Sequence, residues 1–415
     1  VKNKSVLNFN IFYNAGAFLS ILICLSLISV ISGGCGYGFL KPASRADKVK
    51  SSPAINIGAV WPHDADFKSF ANGVTMASDE INRAGGVIGK KINIVFKNDN
   101  SDVTRGMVIA DEFANEADIC AVVGFYDSHV TLPASNIYNS AGILMITISV
   151  TDPAYNSFKS PILFRTIPDA DDIAARLAAV LKKSGYKKVM ICYVNDKYGL
   201  SSANATEDEL KKQSISVVDR RSFISGSENE FSQIIECWKL LKFDCVIIYG
   251  EAVNSVDFIK MLRSSNITVP VFCGDGADSP QVINAAREYT DGVVFVSFFN
   301  PGDRSAKLAA FEAEYIKKFA VPPGTYAPAA YDAVMLAAEG IKFAKSAAPP
   351  DIARALRALD NYEGVANKYS FDEGGEVKNK KVVLKMFNGD KFIYLDTTNE
   401  ADLIKKAALK NEKWK

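Results

Sequence analysis

The stretch INIGAVWPHDADFKSFANGVTMASDEINRAGG, residues 55–86, carries one complete structural cycle. Its opening run, Ile55 to Val60, is rich in branched apolar residues and reads as a strand. Phe67, Phe70, Val74, Ala77 and Ile81 then recur at spacings of three and four, which places them on one face of a helix. Gly85-Gly86 ends that helix, because glycine accepts the left-handed conformation that closes helical C-termini. A strand followed by an amphipathic helix, repeated, is the signature of βαβ units and of a parallel sheet.

The cycle recurs along the chain. Strands are expected at residues 92–96, 119–124, 143–148, 188–194, 216–221, 245–249, 270–273 and 292–298, with helical segments between most of them. Phe231, Ile234, Ile235, Trp238 and Leu241 form one apolar helical face, and Leu308, Phe311, Tyr315 and Phe319 another; both read as core. A short helix follows Asp351, and residues 381–396 read as a hairpin turning at Asn388-Gly389. The fold class is therefore α/β with parallel sheets. A chain of 415 residues exceeds what one core usually organises, so two lobes are expected.

Composition excludes several functions. With 48 basic and 47 acidic residues the chain has almost no net field, and no stretch interleaves basic clusters with aromatics, so nucleic acid is not an expected partner. Lys2 and Lys4 precede an almost uncharged run from Phe9 to Ile31, which ends in Ser32-Gly33-Gly34-Cys35. This is a secretory pattern, although an uncleaved membrane anchor is also long enough to be built from the same run. It resembles a bacterial lipoprotein signal, with Cys35 as the lipidated mature N-terminus and Ser32 departing from the usual leucine. Residues 36–53 turn polar and suit a tether, so the folded body is expected from Ala54; residues 397–415 read as a charged tail. Beyond the signal, Cys120, Cys192, Cys245 and Cys273 sit in apolar runs and read as buried thiols, and a pairing of Cys237 with Cys245 stays open.

A parallel open sheet offers its ligand crevice beyond the carboxyl ends of its strands. In the first half those ends read Trp61-Pro62-His63-Asp64, Phe125-Tyr126-Asp127-Ser128 and Ser149-Val150-Thr151-Asp152. In the second half they read Asn195-Asp196-Lys197-Tyr198, Glu251-Ala252 and Asp275-Gly276. Hydroxyls dominate one half and carboxylates with a tyrosine the other, a division that suits a zwitterion held between lobes. Taken singly, each of these residues is also a common helix cap or turn residue. Catalysis has little support: His63 and His129 are the only histidines, no nucleophile elbow occurs, and Ser128 beside His129 is a sequence neighbour rather than a geometric pair. The run Gly85 to Lys90 follows a helix and precedes a strand, the reverse of a phosphate loop. No cofactor is expected, and no metal: Asp171-Asp172 sit at a helix start, where they complement the dipole.

Ile81-Asn82-Arg83-Ala84-Gly85-Gly86-Val87-Ile88-Gly89-Lys90-Lys91, leading into a strand and Asp99, resembles the periplasmic leucine/isoleucine/valine-binding protein family. Further landmarks follow in order: Val122-Val123-Gly124 with Ser128, Thr131-Leu132-Pro133-Ala134, Phe164-Arg165-Thr166, Tyr198-Gly199, Ala330-Tyr331-Asp332-Ala333 and Phe371-Asp372. The resemblance implies two Rossmann-like lobes joined by a three-crossover hinge. It further implies a solute, an α-amino acid of the branched-chain type, closed in the cleft and delivered to an ABC permease; the same architecture also serves ligand-sensing receptors or regulators that bind an amide or aromatic acid. The lobes it implies are discontinuous, 54–166 with about 295–343 and about 167–294 with 344–396. By position it implies Ser128, Ser149 and Thr151 at the ligand carboxylate, and Asp169, Tyr198 and Asp275 at the ammonium. Trp61, Phe125, Tyr126 and Phe299 read equally as walls of the pocket or as core, and Glu251 is a further candidate for the wall. Two departures from the family pattern stand out: Asp127 stands where a disulfide cysteine can occur, and Ala252 where an aromatic residue often lines the cleft.

Overall fold

The computed structural model describes residues 42–411, apart from 64–65, 158, 280–281, 283–287 and 303–304. The expected signal segment, Cys35 included, lies outside these residues.

β1 (Ala54–Val60), β2 (Lys91–Lys97), β3 (Ile119–Gly124), β4 (Leu144–Thr147) and β5 (Leu163–Arg165) form a wholly parallel sheet in the order β2-β1-β3-β4-β5. Every residue of β3 is buried, which is why its sequence is a continuous apolar run rather than an alternation: helices cover both faces. The helix Phe67–Arg83 presents the face read from the sequence, with Phe70, Val74, Ala77 and Ile81 in the core. The second sheet contains β6 (Lys188–Val194), β7 (Ser216–Phe223), β8 (Cys245–Tyr249), β9 (Val271–Cys273) and β10 (Val294–Ser297), parallel to one another. β11 (Tyr362–Glu363) and β12 (Lys368–Tyr369) are a small separate pair. The hairpin of β13 (Val383–Phe387) and β14 (Phe392–Tyr394) completes the second sheet antiparallel to β10, giving the order β14-β13-β10-β9-β8-β6-β7. The chain passes between the two sheets after β5, after β10 and again between Val377 and β13, so the hinge has three crossings.

Three boundaries differ from the sequence reading. The polar segment expected as a tether contains the helix Pro42–Ser51, docked by Val49 and by Arg45, which is fully buried. Arg45 donates to the carbonyls of Ala114, Glu116, Ile119 and Ala141, gathering the C-terminal ends of two helices and the start of β3. An isolated arginine among polar residues reads as solvated; only the cluster of carbonyls it meets makes its burial favourable.

Residues after 343 do not pass at once into the second lobe. The helix Pro349–Arg357 packs Ile352 and Leu356 against Gly340, where a Cβ would lie 2.8 Å from Ile352, and Val365, Tyr369, Phe371 and Val377 join the same first-lobe core. Conversely β10 belongs to the second sheet. The charged tail is a helix as well, Glu400–Asn411, with Ile404 buried and Glu400 paired to Arg176. Cys120, Cys192, Cys245 and Cys273 are buried free thiols, and Cys237 is exposed and free, so the pairing left open for Cys237 and Cys245 is not made.

Candidate ligand-binding cleft

The strand ends of the two sheets face one cleft, whose lining is Tyr126, Asp127, Ser128, Ser149 and Tyr326 from the first lobe and Asp196, Tyr198, Glu251, Asp275 and Gly276 from the second. It encloses about 350 Å³ counting its open mouth, at the small end of the range for small-molecule sites.

On the first lobe, β3 runs out at Gly124, whose φ of +113° brings the chain so near Val60 that a Cβ would sit 2.1 Å from its carbonyl oxygen. The turn that follows delivers Tyr126 and Asp127 and opens the helix Ser128–Ala141, so Ser128 stands at a helix N-terminus with its hydroxyl and the positive end of the dipole together. Ser149 follows β4 by two residues. Trp61, just past β1, is fully buried and stacks on Phe70 at 4.4 Å. Its ring meets Tyr126 at 5.2 Å and Tyr326 at 5.0 Å, so it backs the wall rather than forming it. Phe125 is core, 6.1 Å from Tyr138, and does not line the cleft.

On the second lobe, Asp196 caps the helix Lys197–Lys212 by accepting from Gly199 N at 2.8 Å, which orients Tyr198. The Tyr198 hydroxyl donates to Asp275 Oδ1 at 3.2 Å and accepts from Gly276 N at 3.0 Å. Gly274 makes this junction possible: a Cβ there would lie 2.6 Å from the Tyr198 hydroxyl. Asp275 is 8% exposed, and burial pushes its carboxyl up to about 7; a backbone bond and the Tyr198 bond oppose the shift and Asp278 adds to it. A carboxyl so desolvated holds its proton up to near-neutral pH, and a cation placed beside it would favour the ionised form.

Of the residues expected at the site, the structure brings Ser128, Ser149, Tyr198, Asp275, Tyr126 and Glu251 together. Thr151 is fully buried outside the lining; its carbonyl accepts from Ala170 N at 2.9 Å. Asp169 does not face the ligand space. It caps the helix Ala170–Ser184 in a capping box with Asp172 and pairs with Lys380 at 3.3 Å and Arg165 at 3.8 Å. Burial alone would raise its pKa, but the Asp172 bonds, Arg165 and Lys380 outweigh it and hold the carboxyl low, so its charge is already compensated. Phe299 lies at the second crossing and lines a neighbouring hollow with Tyr326. Tyr326 was missed. It enters from the start of a helix more than a hundred residues beyond Ser149, and nothing local marks it as cleft-facing.

The geometry offers little to catalysis. His129 Nε2 bonds the Ser101 carbonyl at 3.2 Å, away from any pairing with Ser128, and His63 packs on Phe67. Among the described residues no three His, Cys, Asp or Glu side chains converge as a metal site, and no helix is long and apolar enough to cross a membrane.

Comparison with known proteins agrees with this architecture. The family model described as "Periplasmic binding protein" matches residues 54–390. A Leu/Ile/Val-binding protein homolog of Brucella abortus is 29% identical over 332 residues, 78% of this chain and 86% of that one. The leucine-, isoleucine-, valine-, threonine- and alanine-binding protein of Pseudomonas aeruginosa is 28% identical over 347 residues, 82% of this chain and 90% of that one. Among solved structures, an ABC transporter substrate-binding protein from Desulfitobacterium hafniense in complex with leucine is 33% identical with a TM-score of 0.73, covering 82% of this chain and 100% of that one. Its relatives are solute-binding proteins rather than enzymes, and with its two parallel-sheet lobes, three crossings and polar strand ends around a single cleft, this chain belongs to the periplasmic binding protein family.

Proposed function

We propose that this protein captures a free α-amino acid between its lobes and delivers it, unchanged, to an ABC permease. The observation that carries this reading is the opposition, across one cleft, of the Tyr198–Asp275 pair and two serines, Ser128 at a helix N-terminus and Ser149 just past β4. A zwitterion satisfies both sides at once: its carboxylate takes the hydroxyls and the N-terminal dipole, and its ammonium takes Asp275. The relatives bind branched-chain amino acids, so leucine, isoleucine and valine are the reference compounds. A thermal-shift screen of the folded body against amino acids and small organic acids tests the reading. A ligand at about 100 times its dissociation constant adds roughly 2.7 kcal/mol to stability, so a true ligand raises the melting temperature clearly. If only compounds lacking an α-amino group shift it, the reading fails.

The chain is further proposed to be exported and held to a membrane through lipid at Cys35. The support is the run from Lys2 to Ile31 and the ending Ser32-Gly33-Gly34-Cys35. Metabolic labelling with a fatty acid is expected to mark the wild type and not Cys35→Ala; equal labelling of both would exclude the anchor. One acyl chain alone binds membranes marginally, so stable attachment requires more than one.

A further inference from the structure

The cleft continues past Tyr326. That residue lines the space shared by Ser128, Ser149, Tyr198 and Asp275, and it also lines a second hollow of about 450 Å³, counting its open mouth, among the hinge crossings. The two spaces adjoin along one strand end as well, since Ile148 lines the hollow and its neighbour Ser149 the cleft. All three crossings contribute to the hollow: Ile167 and Pro168 from the first, Phe298 and Phe299 from the second, Lys381 from the third. Ala329 lines it from the first lobe, three residues after Tyr326 and so on the same face of the helix Tyr326–Ala344. Its short side chain leaves room that a larger residue there would fill.

Apart from Tyr326 itself, the polar side chains around the hollow already have partners. The Thr166 hydroxyl donates to the Thr147 carbonyl at 3.0 Å, and the Tyr369 hydroxyl to Asp332 at 2.8 Å. Thr325 donates to Asp278 across the lobes at 3.4 Å. Asn367 donates to the Asn379 carbonyl at 2.9 Å and accepts from Lys368 N at 2.8 Å. Lys381 is engaged too. What the walls still offer an occupant is hydrocarbon, from Ile148, Ile167, Pro168, Phe298, Phe299 and Ala329. A charged group entering there would lose its hydration with no hydrogen bond in return, whereas an apolar group gains by leaving water.

We propose that the side chain of the bound amino acid passes Tyr326 into this hollow, so that the protein takes α-amino acids with large apolar side chains, of the phenylalanine and methionine class, in preference to short ones. The proposal rests on the α-amino-acid reading and adds a subsite to it. An occupant of the hollow touches each of the segments that join the lobes.

Calorimetric titration of valine, methionine and phenylalanine into the wild type and Ala329→Leu tests it. Methionine or phenylalanine is expected to bind the wild type about tenfold or more tighter than valine, the gain that burying the additional apolar surface supplies. Ala329→Leu, whose added carbons enter the hollow, is expected to weaken that ligand about tenfold or more and to change valine by less than about threefold. Ala366→Leu, which narrows the hollow from the segment between β11 and β12, is expected to do the same and serves if Ala329→Leu fails to fold. If valine binds the wild type as tightly as both longer side chains, or if the substitutions weaken all three ligands alike or none of them, the subsite is overturned while the α-amino-acid reading stands. If none of the three binds, the subsite falls, and the thermal-shift screen decides whether the α-amino-acid reading falls with it.

Discussion

Asp275→Ala is expected to weaken binding of an α-amino acid by about 100- to 5000-fold. The ammonium would then be buried against Tyr198 with no counter-charge, and breaking a buried pair in this way costs roughly 3–5 kcal/mol. Ser128→Ala removes one hydrogen bond to a charged group, about 1.5–3 kcal/mol, and leaves the helix N-terminus in place, so its loss is smaller. The same carboxylate predicts a proton signature. Its pKa of about 7 in the free protein exceeds the unfolded value, so its contribution to stability is present at low pH and is lost as pH rises through about 7. A bound ammonium favours the ionised form and lowers that pKa. Binding somewhat below pH 7 is therefore expected to release close to one proton from Asp275, and binding well above pH 7 close to none, and affinity is expected to fall as the solution is acidified below pH 7. Calorimetry in buffers of different ionisation enthalpy measures this directly. Wild-type affinity in Asp275→Ala, or no proton release on the acid side, would remove Asp275 from the ammonium site.

Arg45→Ala is expected to lower unfolding stability by about 3–5 kcal/mol, by leaving a set of buried carbonyls without donors and opening a cavity under the Pro42–Ser51 helix. Buried acceptors left unsatisfied each cost about 1–3 kcal/mol, and partial entry of water keeps the total below their sum. Arg45→Lys is expected to recover only part of the loss, because an ammonium is a compact centre with three donors and cannot serve four carbonyls that the guanidinium reaches from three separate nitrogens. Urea denaturation reads the effect as a lower midpoint at constant slope. A body trimmed to begin at Ala54 is expected to show a comparable drop, since it lacks the same side chain; an unchanged midpoint in both proteins would show that the helix adds nothing to the fold.

Much of the cleft's lining was legible because it follows from local rules. Period-two and period-3.6 apolar patterns are set by bond geometry within a few residues, so Ile55 to Val60 and Phe67 to Ile81 declare strand and helix wherever they fold. A parallel sheet then places cleft residues after strand ends, which, together with the family resemblance, is why Ser128, Ser149, Tyr198 and Asp275 could be named from the sequence; all four line one cleft. Asp169 shows the limit. At the end of β5 it has the right chemistry and the right topological place, but Lys380 neutralises it from 211 positions away. Tyr326 is the converse, a cleft residue supplied by a helix that returns to the first lobe from the second crossing.

What the sequence alone determined is the α/β alternation and the hydroxyl and carboxylate character of the strand ends, which depend on contacts short in sequence, and the two-lobed class, which follows from chain length. Only the tertiary structure decided which lobe receives Pro349–Arg357, that Arg45 is buried rather than solvated, and which acids already have partners. Amphipathic periodicity tells that a face will be buried and not against what, and a charge is tolerated inside only where distant groups converge to satisfy it.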